Sequence, residues 1–186
     1  MGEIAEPLDT VQISEELIRR FDRSGPRYTS YPTADRFQDD FSSDHYITAL
    51  THRQQFVSPP PYSVYVHLPF CASLCYFCAC NKIITQDQSR SRHYVDTVLQ
   101  ELQLLAPYLG EQRLTGQLHL GGGTPTFLPA EELKRLMQGI QQQFHFEPSA
   151  ELGIEIDPRT VNAETLSYLA ELGFNRTSFG VQDFHP

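Results

Sequence analysis

The chain has 186 residues, 40% hydrophobic and 20% charged, an ordinary composition for a globular protein with enough apolar material for a core. Its 23 acidic against 14 basic residues leave a formal charge of −9, and the basic residues form no stripe interleaved with aromatics, which argues against a nucleic-acid partner. No apolar run approaches the length that crosses a bilayer, and the acidic start MGEIAEPLDT lacks the basic and apolar regions of a signal peptide, so a cytoplasmic protein without a membrane is expected.

Residues 1–12 are polar and without periodicity, which predicts a loosely attached tail. Ile13, Leu17, Ile18 and Phe21 then fall at helical spacing, with Ser14 as N-cap and Glu15 and Glu16 near the positive end of the dipole. The stretch Ser24-Gly25-Pro26-Arg27-Tyr28-Thr29-Ser30-Tyr31-Pro32-Thr33-Ala34 shows neither helical nor strand alternation and predicts an ordered loop or extended arm. A second helix is expected from about Asp44 to Phe56, capped by Ser43, with Tyr46, Ile47, Leu50 and Phe56 facing inward. The run Pro59-Pro60-Pro61 cannot continue it and marks the boundary between residues 1–60 and residues 61–186.

Beyond the prolines, short apolar runs alternate with amphipathic segments. Ser63 to His67, Gln117 to Leu120, Glu151 to Ile156 and Arg176 to Gln182 read as strands. Between them lie helices carrying Tyr94, Val95, Val98, Leu102 and Leu105; then Leu133, Leu136, Met137, Ile140 and Phe144, opened by Pro129; then Leu166, Leu169 and Leu172, capped by Asn162 and stopped by Gly173. Four strands alternating with three helices are the pattern of βαβ units around a parallel sheet, an α/β fold. In such folds ligands sit at the carboxyl ends of the strands, which directs attention to the loops that follow them.

The loop after the first strand holds all four cysteines: Cys71, Cys75, Cys78 and Cys80. Three thiolates spaced C-x3-C-x2-C can converge on one iron–sulfur cube and leave one iron free for chemistry rather than for electron transfer alone. Zinc on all four cysteines is the competing reading, disfavoured because structural zinc sites draw paired ligands from separated segments and the chain has no second cysteine pair and no closely spaced histidine pair. Disulfides fit such clustered thiols less well. Cys80 reads equally as a substrate-side thiol and as a small buried apolar residue.

After the second strand comes Gly121-Gly122-Gly123-Thr124-Pro125-Thr126, in which glycines allow backbone amides to approach a ligand closely. Taken alone, this is an ordinary tight turn. Glu155 ends the third strand beside Ile154 and Ile156; it is either a solvated carboxylate or one that faces a site. Tyr65 and His67 leave the first strand on one face, two residues apart.

With these motifs in hand, the segment C-x3-C-x-F-C, with Phe77 before the third cysteine, resembles the cluster loop of the radical S-adenosylmethionine superfamily. The arm G-P-R-Y-T-S-Y-P-T-A resembles that of one family within it, the oxygen-independent coproporphyrinogen III oxidases, also called coproporphyrinogen dehydrogenases. The related heme chaperones lack this arm and generally lack the C-x-C of Cys78 and Cys80, so a heme chaperone is the second alternative beside the zinc module.

The resemblance implies the N-terminal part of a partial (β/α)6 barrel, preceded by a small helical and extended arm and ending before the last βα units. A piece of this kind is expected to be inactive and poorly soluble alone, because an unfinished parallel sheet exposes an edge. It implies a [4Fe-4S] cluster on Cys71, Cys75 and Cys78, and one or two S-adenosylmethionine molecules contacted by Tyr65, Phe77, Gly122, Gly123, Thr124, Glu155 and Gln182. Tyr65, His67 and Cys80 become the catalytic candidates, and Arg27, Tyr28 and Tyr31 would close over the substrate, with Arg27 pairing a propionate. The activity implied is oxidative decarboxylation of two propionates of coproporphyrinogen III to vinyl groups in heme biosynthesis, by an oxidoreductase that is a monomer served by a reductase or flavodoxin-type electron donor.

Overall fold

The described residues of the computed structural model are 13–22, 33–76 and 78–180. The expectations for the tail, for most of the arm with Arg27, Tyr28 and Tyr31, and for Phe77 and Gln182 lie outside them. The chain divides into two compact units, Met1–Ser42 and Ser43–Pro186.

In the first unit α1 spans Glu15–Phe21, and the Ser14 hydroxyl accepts from Leu17 N at 3.2 Å, as an N-cap should. Its apolar positions Ile13, Leu17, Ile18 and Phe21 are all exposed, Phe21 by 67%. One 3-10 turn, Ala34–Arg36, follows.

The second unit opens with α2, Ser43–Arg53. Ser43 is the first helical residue rather than the cap, and the helix stops three residues short of Phe56. Ile47 and Leu50 are half-buried as expected, whereas Tyr46 and Phe56 are exposed. Phe56 has left the helical phase: its amide closes a tight turn onto the Arg53 carbonyl at 3.3 Å. Arg53 fastens the helix end to the strand beyond the prolines. Its guanidinium donates to the Pro60 carbonyl and to Gln112 O at 3.0 Å, and lies 3.7 Å from the centre of the Tyr62 ring.

The main sheet is parallel with the order β1-β4-β5-β6, formed by β1 (Tyr62–Leu68), β4 (Leu114–Gly122), β5 (His145–Glu155) and β6 (Arg176–Ser178). A two-stranded parallel pair, β2 (Phe70–Cys71) with β3 (Ile83–Ile84), frames the cysteine loop. The connecting helices are α3 (Ser89–Leu105), α4 (Ala130–Gln143) and α5 (Ala163–Glu171). Asn162 caps α5 by accepting from Thr165 N at 2.8 Å. Asp87 accepts from Ser89 N and Oγ at the start of α3, which sets that start earlier than the apolar period alone indicates.

β5 begins well before Glu151 because its pairing slips. Thr115 pairs with Phe146 but Gln117 pairs with Glu151, so Pro148 lies in a segment bulged out of the ladder, where its missing N–H costs no sheet bond. β6 ends at Ser178, short of the expected reach.

Strand alternation gives the sheet two unlike faces. Leu68, Leu118, Leu120 and Ile154 are fully buried, and together with Val95, Leu136, Met137 and Ile140 they make the core. The alternate positions Tyr65, His67, His119 and Glu155 belong to the opposite face and remain partly open. Because Leu120 is at 0% exposure on a central strand, Leu120→Ala should lower stability by about 2–5 kcal/mol. Leu166→Ala, on the 42% exposed face of α5, should cost about 1 kcal/mol or less; urea denaturation followed by circular dichroism separates the two.

Candidate active site

Three loops meet at the carboxyl edge of the sheet, one after each of β1, β4 and β5. The first leaves β1 through Pro69 into β2, so that Cys71 ends a hydrogen-bonded strand and is half-buried. Cys75 is exposed, Cys78 is half-buried and Cys80 is exposed, and all four are free thiols. Cys78 N donates to the Cys75 carbonyl at 3.2 Å, closing the turn between two of them. The return strand is pinned by Ile83 N to Pro69 O at 2.7 Å and Thr85 N to Cys71 O at 2.9 Å.

Donors from the other two loops approach the sulfurs. Thr124 Oγ1 donates to Cys71 Sγ at 3.6 Å and Arg159 Nη2 donates to Cys75 Sγ at 3.7 Å. Burial pushes the Cys71 thiol up, and the Thr124 hydroxyl opposes that by stabilising the thiolate. The Cys80 thiol is also pushed up, first by partial desolvation and then by its neighbour Cys78.

Tyr65 and His67 form a chain of hydrogen bonds to the far end of the cysteine loop. His67 Nε2 lies 2.9 Å from the Asn81 carbonyl, which can only accept, so Nε2 carries the proton. In the neutral ring Nδ1 is then the acceptor for the Tyr65 hydroxyl at 3.1 Å. Tyr94 donates to the His67 carbonyl at 2.7 Å. His67 therefore anchors the loop. Tyr65 stacks on His119, with centroids 6.1 Å apart, and its phenol is pushed up by burial first and then by Glu155.

The glycine turn is shaped by how closely two loops approach. A Cβ on Gly123 would lie 2.6 Å from the Phe70 carbonyl oxygen, and Gly122 has a φ of +113°, which side-chain-bearing residues rarely adopt. The amides expected to face a ligand are engaged within the chain. Gly123 N donates to Leu68 O at 2.8 Å, Thr124 N to Phe70 O at 2.8 Å, and Gly122 N to Glu155 Oε2 at 2.9 Å. Glu155 is thus tied to the glycine turn, 3.5 Å from His119 Nε2, with its side chain 41% exposed.

The structure brings Tyr65, His67, Cys71, Gly122, Gly123, Thr124 and Glu155 to one edge, with Cys75 joined through Arg159. His119, Asn81, Asp157 and Arg159 are further site residues that the sequence reading passed over. His119 was accessible by alternation, since it lies two positions before Gly121 and pairs with Tyr65 in register. Nothing local marks Arg159, whose partner Cys75 is 84 residues away.

Soft thiol donors, partly shielded and approached by O–H and N–H groups, suit an iron–sulfur cluster. Among the described residues no three His, Cys, Asp or Glu side chains gather around one point as a single metal ion requires. The ligands of a four-iron cube sit on separate irons and stand farther apart.

The radical SAM superfamily matches residues 65–186. The chain is 46% identical over 179 residues to the oxygen-independent coproporphyrinogen III oxidase of Pseudomonas aeruginosa, covering 95% of this chain and 38% of that protein. It is 45% identical over 169 residues to that of Escherichia coli K12, with 91% and 36% covered, and 43% identical over 142 residues to that of Mannheimia haemolytica, with 76% and 94% covered. The solved structure of coproporphyrinogen III oxidase (HemN) from Escherichia coli, a radical SAM enzyme, superposes with a TM-score of 0.77 at 45% identity, covering 85% of this chain and 35% of that one. The chain spans little more than a third of the length of the first two of these relatives. It belongs to the radical SAM superfamily and, within it, to the family of oxygen-independent coproporphyrinogen III oxidases.

Proposed function

We propose that the whole protein carries out oxygen-independent oxidative decarboxylation of two propionates of coproporphyrinogen III to vinyl groups, giving protoporphyrinogen IX in heme biosynthesis. The observation that carries this reading is the meeting of the thiol loop, the Gly122–Thr124 turn and Glu155 at one edge of a parallel sheet, in a chain 46% identical to a relative bearing that name. Cys71, Cys75 and Cys78 would hold a [4Fe-4S] cluster, and one or two S-adenosylmethionine molecules would bind beside it. When bound, the two cofactors supply a 5′-deoxyadenosyl radical able to take hydrogen from carbon.

The protein's own residues bind and orient. Glu155 accepts hydrogen bonds from the cofactor's amine or ribose hydroxyls, for which its exposed face is available while Gly122 N–H holds it in place. Tyr65, backed by the His119 ring, offers a flat polar wall. Gly122 and Gly123 keep side-chain bulk away from the approach, and Thr124 adds a hydroxyl already directed at Cys71. Phe77 and Gln182 are cofactor contacts by family resemblance. His67 positions the loop through Asn81, and Cys80 stands on its substrate side. By family resemblance Arg27, in the arm that also carries Tyr28 and Tyr31, would pair a substrate propionate. For each propionate one hydrogen atom leaves the β-carbon, carbon dioxide leaves the carboxylate and one electron passes to an acceptor.

By the same reading residues 1–60 make up the N-terminal arm and helices, and residues 61–186 contribute to a (β/α) barrel. The protein works as a cytoplasmic monomer with a reductase or flavodoxin-type donor, without nucleic acid or membrane; no helix among the described residues is long and apolar enough to cross a membrane.

The deciding experiment is anaerobic iron–sulfur reconstitution and reduction with S-adenosylmethionine, with 5′-deoxyadenosine measured with and without coproporphyrinogen III. Substrate-dependent 5′-deoxyadenosine together with vinyl product is expected. A brown protein that binds heme and forms no such product would replace the oxidase by a heme chaperone, and a colourless one by a zinc module.

Two variants probe the assignments. Cys75→Ala should abolish the brown absorbance while Cys80→Ser retains it, as read by visible spectroscopy after reconstitution. Glu155→Gln should weaken S-adenosylmethionine binding about tenfold to a hundredfold, the equivalent of a charge-assisted hydrogen bond of about 1.5–3 kcal/mol, with the cluster spectrum unchanged; equilibrium binding measures it.

A further inference from the structure

Asp157 and Arg159, in the turn after β5, form a clamp that ends on a cysteine sulfur. Asp157 Oδ1 accepts from Arg159 N at 3.0 Å and from Arg159 Nε at 2.9 Å, and Oδ2 accepts from Nη2 at 2.7 Å. The guanidinium fork holds the Asp157 carboxyl below the usual carboxylate range. Thr160 fixes the same turn by donating both its N–H and its hydroxyl to the Asp157 carbonyl. With one edge of its fork committed to Asp157, Arg159 presents Nη2 to Cys75 Sγ at 3.7 Å.

This contact goes to the most weakly sheltered member of the thiol trio. Cys71 ends a strand, is half-buried and has the Thr124 hydroxyl. Cys78 is half-buried. Cys75 is exposed, and Arg159 is the side chain that approaches its sulfur. A cation beside a ligand sulfur favours added electron density on a cluster, and an N–H donor to that sulfur lowers the tendency of the thiolate to dissociate.

Resting on the assignment of Cys71, Cys75 and Cys78 as cluster ligands, we propose that Arg159, oriented by Asp157, is a positioning residue for the cluster: it raises the reduction potential and slows loss of iron through Cys75. The planar fork is essential to the second of these effects, because lysine supplies the charge without the two-point grip on Asp157.

The test is made on the reconstituted protein without S-adenosylmethionine. An EPR-monitored redox titration gives the midpoint potential, and bleaching of the cluster by an iron chelator gives the release rate. Arg159→Gln should shift the midpoint to more negative potential and speed release several-fold. Arg159→Lys should hold the potential nearer that of the unsubstituted protein yet still release iron faster. A midpoint and a release rate in Arg159→Gln equal to those of the unsubstituted protein overturn the inference while leaving the ligand assignment standing. Failure of the unsubstituted protein to take up any cluster overturns both. Should Arg159→Gln take up no cluster, the lysine variant carries the comparison, and an unchanged release rate there overturns the proposal.

Discussion

The site depends on how closely two backbones pass each other at the edge of the sheet. β1 leaves through Leu68-Pro69-Phe70, and the glycine turn after β4 lies against it so tightly that Gly123 has no room for a side chain. The bonds from Gly123 N to Leu68 O and from Thr124 N to Phe70 O continue the β1–β4 ladder past the formal end of the strands. One consequence is that Cys71 and Thr124 are held in fixed relation, which brings a hydroxyl to a sulfur. Next to it Gly122 has positive φ and its amide donates to Glu155. Packing, conformational strain and site geometry thus meet in three consecutive residues.

Around this junction the polar groups of the open face form linked contacts. Tyr65 reaches Asn81 through His67 and stacks on His119, which lies beside Glu155; Glu155 in turn accepts from Gly122. Each of β1, β4 and β5 contributes at least one member, so a shift in the register of any one would disperse the set. The apolar face beneath, with Leu68, Leu120 and Ile154 fully buried, fixes that register, because a slip of one residue would expose all three.

Much of this was legible in the sequence. Period-two alternation in Ser63–His67 and the helical spacing of Leu133, Leu136, Met137 and Ile140 locate strand and helix because burial on one face leaves that imprint. The cysteine spacing and the glycine run mark their loops directly. Features that left little imprint are those set by tertiary contact. The pair β2 and β3 has two residues per strand, too few for a period. Pro148 conceals the start of β5 because its compatibility depends on a bulge visible only in the pairing. The Phe56 ring follows a turn rather than a helix. The amides of Gly122, Gly123 and Thr124, free donors in a linear reading, are claimed by residues that only the folded chain brings close. Arg159 has no signature as a sulfur donor until β5 is laid beside the cysteine loop.

The order of the main sheet follows the order of the chain, each strand lying next to the one before it in sequence. On a ribosome the thiol loop therefore emerges well ahead of the groups that shelter it, for Thr124 comes 53 residues after Cys71 and Arg159 comes 84 after Cys75. A domain generally folds as a unit, so the sheet closes only once its later strands are available. The thiols are thus made before either group that shelters them, and the loop is uncovered until β4 and β5 have joined β1.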